Sequence, residues 1–550
     1  MRISIYFVLL SFLLFSCEDD FLDRKLDTNL HEDEVFINYS RIRNFGNGVF
    51  SYVPVGFNRI GGSFFSGITD DAEHTWQSSS VHRFNIGAIT SYYNPDNQWA
   101  HYYEGIRRAN KFLENTVGFE DIIVRDTVTA NGKAQYLQQV EDIHWMQQEV
   151  RFLRAWFHFE LVKRYGGVPI VTSVLSMDEE LDLPQDSFDE CINFIVDECD
   201  AVADTVRTEW VGFKDDEAGR VTKGTVLALK SRVLLYAASP LHNLNNDVSK
   251  WEDAAAAAYD VIAMGKYSLH DDYGSLFRSP QSYRSNEVIF SRRDGSSNSI
   301  ERENYPIGTE GGQSGTCPSQ NLVNAYEKLD GWDPFNPYEL VDPRLQMTIV
   351  VNNSTWNSRT IESWIGGQDG KGQNRASRTG YYLKKYLTDN LNLTQDQESI
   401  HSWIIFRYAE ILLNYAEAMN EAYGPTADPQ GYGMTALDAI NQIRQRPGVG
   451  IPVIEEGISQ TDLREKIKNE RRVELAYEEH RYWDLLRWKD ATEVLNEPLR
   501  GVEITKDGDN FTYDYVEVEP RHFDEKMYLY PIPQEEVLKS DGNLTQNPGW

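Results

Sequence analysis

The chain is 550 residues long, room for three or four ordinary domains or for one large architecture, and ample for a sizeable core. Its 85 acidic residues outnumber 53 basic ones, giving a formal net charge of −32, which repels phosphate backbones and anionic lipid and argues against nucleic acid as a partner. Hydrophobic residues at 41% and charged residues at 25% are those of a folded soluble protein, whereas aromatics, 12% with 30 Tyr and 13 Trp, are in excess and need a role.

The chain opens with MRISIYFVLLSFLLFS, in which Arg2 precedes an apolar run from Ile3 to Phe15. That run is shorter than the ~20 residues a membrane-spanning helix needs, and it has the layout of a secretory signal peptide over residues 1–16. Cys17, preceded by LFS and followed by EDD, resembles the lipobox of a bacterial lipoprotein, whose cysteine sulfur takes a diacylglycerol, although Phe15 stands where a small or branched residue is usual. Residues 17–21 would then be a lipidated, acidic N-terminus. Of the other cysteines, Cys191 and Cys199 lie eight apart in one expected helix, beyond disulfide reach of each other. Both read as buried thiols, and with Cys317 they form neither a disulfide framework nor a zinc spacing.

A loop-rich region at 51–100, with SYVPVGFNRIGGSFFSGITDDAEHTWQ and ITSYYNPDNQWA, leads into the first long helical pattern. QWAHYYEGIRRANKFLENT puts Trp99, Tyr103, Ile106, Ala109, Asn110 and Leu113 on one stripe, so Trp99 reads as core. EVRFLRAWFHFELVKRYGGVP reads as helical from Glu149 and stops at Gly166 and Gly167, with Pro169 beyond. Ser187 and Glu190 form a capping box that opens the next helix. VTKGTVLALKSRVLLYAAS with WEDAAAAAYDVIAMGKY makes one helix pair, and FRYAEILLNYAEAMNEAYG with GMTALDAINQIRQRPGVG makes another. RVLLYAA at 232–238 echoes ILLNYAE at 411–417, and such repeated pairs suggest a tetratricopeptide-like solenoid without the full consensus. Between about 270 and 400 the texture is Gly-, Ser-, Asn- and Pro-rich with interleaved aromatics, as in GSSNSIERENYPIGTEGGQSGTCPSQ, DGWDPFNPYELVDPR and WIGGQDGKGQNRASRTGYY. Long ordered loops carrying aromatics are where a site is expected, and Trp356, in a strand-like stretch, reads as packing.

NERRVELAYEEHRYWDLLRW at 469–488 is dense in reactive side chains, yet a helical reading places Val473, Ala476, Tyr477, His480, Trp483 and Leu486 on one buried stripe. Arg471 with Glu474, Glu478 with Arg481, and Asp484 with Arg487 are spaced for pairing along that helix. No catalytic signature stands out elsewhere. HED at 31–33 lacks a second zinc histidine, GxSxG is missing, GGQDGKG at 366–372 misses the phosphate-loop spacing, and DDAEH at 70–74 is too short for a calcium loop. The sequence therefore calls for no enzyme, no metal and no cofactor.

Four stretches carry a family resemblance: EVRFLRAWFHFELVKRYGGVPI, GRVTKGTVLALKSRVLLYAASPL, FRYAEILLNYAEAMNEA with INQIRQRPGVG, and KNERRVELAYEEHRYWDLLRW. With the ending YLYPIPQEEVLKSDGNLTQNPGW they make the chain similar, over essentially its whole length, to the SusD/RagB family of outer-membrane nutrient-binding lipoproteins of Bacteroidetes. The resemblance implies a mostly α fold: a tetratricopeptide-like helix-pair scaffold with long loop-rich insertions and a few short strands. It implies an N-terminal SusD-like region at 22–245 and a C-terminal RagB/SusD region at 246–550, carrying the 270–400 insertion, together forming one compact unit. It also implies surface exposure, with Glu18, Asp19 and Asp20 as an export signal, and a SusC-like TonB-dependent transporter as partner. Ligand contacts are expected in the loop before Gln98 and in the central insertion. The candidates are Asp70, Trp76, Tyr92, Tyr93, Asn94, Tyr305, Trp332 and Trp364, because a pyranose presents an apolar face to Trp and Tyr and its hydroxyls seek amides, carboxylates and guanidiniums. The expected ligand is an oligosaccharide; the alternative is a peptide or protein, as in the RagB branch.

Overall fold

A computed structural model describes residues 32–122, 125–176, 183–209, 217 and 219–550. The leader, Cys17, the acidic stretch that follows it and His31 lie outside the described residues. Among the described residues ten helices reach eight residues or more: α1 Tyr39–Asn47, α2 Trp99–Asn115, α3 Ala130–Tyr165, α4 Phe188–Ala203, α5 Lys223–Ala238, α6 Val248–Ala263, α7 Tyr408–Tyr423, α8 Ala436–Arg444, α9 Gln460–Glu474 and α10 Arg481–Trp488. The strands of three or more residues are β1 Ala72–His74, β2 Val288–Ser297, β3 Thr316–Pro318, β4 Ser399–Arg407, β5 Leu499–Asp507 and β6 Asn510–Glu519, all in two-stranded antiparallel pairs. The protein is mostly helical, with helix pairs stacked in order. α2 packs on α3, α3 on α4, α4 on α5, α5 on α6, α6 on α7, and α7 on both α8 and α9. Although residues 264–407 separate α6 from α7 in sequence, the two helices are neighbours, so the insertion leaves the stack and rejoins it at one place.

The caps set several helix limits. Ser187 accepts from the Glu190 amide and Glu190 answers at the Ser187 amide, the reciprocal pair that opens α4. α3 ends at Gly166, whose φ of 75° is one that a side chain would resist. The start of α3 differs from the sequence reading. The helix begins at Ala130, capped by Thr129, and the polar turns before Glu149 lack the apolar stripe that makes a helix visible. From Glu149 onward α3 is buried almost all round, with Phe152, Trp156, Phe157 and Leu161 inaccessible, as suits the central rod of a stack. Each such side chain contributes roughly 1.5–3 kcal/mol by leaving water. Cys191, Cys199 and Cys317 are buried free thiols.

Residues 469–488 are buried as expected but are not one helix. α9 ends at Glu474 and α10 starts at Arg481, and between them Tyr477 and Glu479 take φ of 64° and 65°. The break redirects two of the three expected pairs. Arg471 meets Asp484 at 2.8 Å across the break instead of Glu474, and Arg481 meets Asp70 at 2.9 Å instead of Glu478. Only Asp484 with Arg487, at 2.8 Å, pairs along its helix. Glu474 is left to serve three arginines, Arg344 at 2.9 Å, Arg407 at 2.7 Å and Arg446 at 2.5 Å. Burial alone would raise its pKa, but the three guanidiniums outweigh that and hold it below the usual carboxylate range.

Candidate functional site

Two loop regions far apart in sequence are clasped by a three-residue pairing. β1 lies antiparallel to β3 with Glu73 opposite Cys317 and His74 opposite Thr316, which joins the 51–100 loops to the 270–400 insertion. Trp76 leaves the end of this clasp. Its amide donates to His74 Nδ1 at 3.2 Å, its indole N–H reaches the Gln313 carbonyl at 3.4 Å, and the Arg375 guanidinium lies 4.5 Å from the ring centre. Arg375 in turn donates to Gln313 Oε1 at 3.0 Å. The indole is half-buried.

A second cluster lies at the β5–β6 hairpin. The loop 363–380 is laid against it by Ile365 N–H to Ile504 O at 2.8 Å and Val502 N–H to Thr379 O at 2.9 Å. Trp364 packs 5.4 Å from Phe511, with Lys506 at 4.2 Å over its ring. Between loop and hairpin lies a cavity of about 240 Å³ lined by Ser363, Lys371, Gln373, Arg378, Glu503 and Glu517, among others. Lys371 pairs with Glu503. Arg378 is held from behind by Glu73 at 2.8 Å, Glu519 at 3.1 Å and the Val518 carbonyl at 2.9 Å. Burial pushes the Glu73 carboxyl up to about 7, partly offset by Arg378. The cavity thus presents amide, hydroxyl, ammonium, guanidinium and carboxylate groups, a composition that can hydrogen-bond a polyol. A second cavity, about 360 Å³, lies along α2 and is lined mainly by apolar groups, including Trp99, Tyr103, Pro169, Leu183 and Leu544.

The eight expected contacts separate into groups. Trp76 contacts the 363–380 loop through Arg375, and Trp364, within that loop, packs on Phe511 and Lys506 of the hairpin. Tyr92 and Tyr93, 79% and 48% exposed, belong to a loop tied to the C-terminal tail through Gln534 N–H to Ser91 O, and Arg83 lies 5.4 Å over Tyr93. Asn94 follows them, accepting from the Asp96 amide at 2.9 Å with its Nδ2 unpartnered. Trp332 is half-buried in its own turn, donating to Pro337 O at 3.2 Å beneath Lys328 at 3.6 Å. Asp70 and Tyr305 depart from the expectation. Asp70 is only 7% exposed and is gripped by Arg472 at 2.7 Å and Arg481 at 2.9 Å, which overcome burial and lower its pKa to about 2. Tyr305 is fully buried against Trp356, its hydroxyl donating to the Thr388 carbonyl. Both brace the loops from inside. Trp99 and Trp356 are core, as read. Sequence reasoning missed the β5–β6 hairpin and the polar rim of Gln313, Gln373, Arg375 and Arg378. The signal available was the amide- and guanidinium-rich GQNRASR at 372–378.

A model of the SusD family matches residues 286–550, and a second, described as starch-binding associating with outer membrane, matches residues 20–235. The chain belongs to the SusD-like family. Among its relatives, SusD-like protein P2 of Formosa agariphila is 25% identical over 415 residues, covering 72% of this chain and 73% of that protein. A SusD-like protein of Bacteroides ovatus is 22% identical over 514 residues, covering 89% of this chain and 83% of its own length. A solved SusD-like protein of Bacteroides fragilis superposes with a TM-score of 0.78 at 28% identity, over 94% of this chain and 99% of that one. A second structure from that species, named a SusD-like carbohydrate-binding protein, shares the fold with a TM-score of 0.75 at 24% identity, over 93% and 100%. The SusD-like assignment fixes the scaffold and associates the family with carbohydrate and the outer membrane. Among the described residues no helix is long and apolar enough to cross a membrane.

Proposed function

We propose that this SusD-like protein captures an oligosaccharide on the face made by Trp76, Trp364, the 363–380 loop and the β5–β6 hairpin, and passes it uncleaved to a SusC-like TonB-dependent transporter. The observation that carries this reading is the β1–β3 clasp, which joins the two loop regions and sets the Trp76 indole beside the Gln313 and Arg375 side chains; the polar cavity between the 363–380 loop and the hairpin supports it. The description of the matching model as starch-binding and the name of the B. fragilis carbohydrate-binding structure support it. A lipid on Cys17 would hold the protein at the outer membrane with its loops outward. Tyr92, Tyr93 and Trp332 are proposed as outer contacts for longer chains.

Calorimetry across a glycan panel tests the capture step. The expected dissociation constants are about millimolar to micromolar, as a shallow face allows, with the sugar recovered intact. Binding that survives Trp76→Ala with Trp364→Ala would remove the site from this face. For the transporter, co-purification with a SusC-like partner after mild detergent extraction is expected, and a lone monomer under those conditions counts against the hand-over. Cys17→Ala should release the protein from the membrane fraction.

A further inference from the structure

The indoles of the proposed face are not bare. Arg375 lies 4.5 Å over Trp76 and Lys506 lies 4.2 Å over Trp364; beyond the cavity Lys328 repeats the arrangement 3.6 Å over Trp332. None of these three cations has an ion-pair partner among the described residues. In a chain with 85 acidic and 53 basic residues, carboxylates are abundant, and the scaffold pairs its buried arginines with them. The carboxylates near the cavity are mostly taken already: Glu503 by Lys371, and Glu73 and Glu519 by Arg378. Glu517 alone lines the cavity without an ion-pair partner among the described residues.

A cation held over an indole is attracted by the negative face of the ring. A neutral sugar can lay its C–H face against the part of the ring that the cation leaves exposed, but it forms no ion pair with the cation. A sugar bearing a carboxylate or sulfate leaves the cation in place, pairs with it through a charge-assisted hydrogen bond, and still lays its C–H face against the exposed part of the ring. We infer that the ligand of this face is an anionic saccharide, whose carboxylate or sulfate groups meet Arg375 and Lys506 while its rings meet Trp76 and Trp364. The inference rests on the reading of the face as a saccharide site.

The test is calorimetry on the full soluble chain with three probes of equal length: a uronate-containing oligosaccharide, a sulfated one and a neutral one, each at low and high sodium chloride. At least one anionic probe should bind about tenfold more tightly than the neutral probe and weaken as salt rises. Its identity distinguishes carboxylate from sulfate. Arg375→Met with Lys506→Met, which keeps the apolar stems, should cost the anionic probe about tenfold and bring its affinity to that of the neutral one. Neutral binding equal to or tighter than anionic binding, or anionic binding indifferent to salt and to both substitutions, overturns the anionic assignment while leaving saccharide capture standing. Failure of all three probes overturns both. Thermal melting of the double variant, expected unchanged, separates a lost contact from a lost fold.

Discussion

Arginine has opposite employments in the two halves of the molecule. Where β4 runs into α7 at the base of the helical stack, Arg407 is buried and shared among Glu287, Glu474 and Glu478, each at 2.7 Å. On the loop face Arg375 is exposed, lies on an indole and, among the described residues, bonds an amide oxygen but no carboxylate. A desolvated charge is tolerable only when it is fully paired, so the scaffold cations are fixed structural parts. A solvated cation over a ring keeps its charge available to a visitor. Reactive-looking residues in the stack therefore hold the structure together, and the sparser loop residues are the ones free to bind.

The comparison breaks most readily at Glu474. Glu474→Ala leaves Arg344, Arg407 and Arg446 short of a partner in the interior and should cost about 3–5 kcal/mol in denaturant unfolding, whereas the same truncation at Glu503 on the face should cost far less. A comparable loss at both positions would erase the distinction. Next is acid. His158 donates from Nδ1 to Arg154 O at 2.8 Å and accepts from the Val171 amide at 3.2 Å, a neutral tautomer in a buried site, and burial lowers its pKa to about 4. Above pH ~6.5 the imidazole is neutral folded and unfolded alike; as pH falls towards ~4 only the unfolded chain takes the proton, so stability is lost through this window, by up to about 3 kcal/mol. His158→Gln should flatten that fall in a pH series of melts relative to wild type. An identical slope would show that His158 contributes nothing to it. Glu73, raised to about 7, works in the opposite sense, so the comparison with the variant isolates the histidine.

Smaller effects sharpen the contrast on the binding side. Trp76→Ala and Trp364→Ala should each weaken saccharide binding about tenfold, the scale of one lost stacking contact, with melting little changed; a drop in melting without loss of affinity would make these indoles loop anchors. At the bottom of the scale, Lys539→Ala removes only exposed contacts to Glu535 and Glu536 at 3.7 and 3.2 Å, and its unfolding curve should superimpose on wild type.

The scaffold was readable where periodicity and caps coincide, as at Ser187 and Gly166, because those signals act over one or two turns. It was unreadable where the signal is weak or distant. The polar first half of α3 has no apolar stripe, and the break after Glu474 uses Tyr477 and Glu479 in the left-handed region, with neither Gly nor Pro to announce it. The loops were recognisable as the place for a site, yet their internal geometry was not. A clasp of three residues has no usable period, and the partners that turn Asp70 into a brace come from Arg472 and Arg481, some 400 positions away.

The most direct measurement sets the two regions side by side. Saccharide affinity and melting temperature are determined for Trp76→Ala with Trp364→Ala and for His480→Asn. His480 is buried between the α9 and α10 helices, accepts from Arg471 at 3.3 Å, and has its pKa held well below the usual value by burial and neighbouring cations. The double variant should lose affinity and keep its melting temperature, and His480→Asn should lose melting temperature and keep its affinity. Lost affinity at His480 with unchanged melting, together with intact binding in the double variant, would place the function in the helical stack and contradict the account.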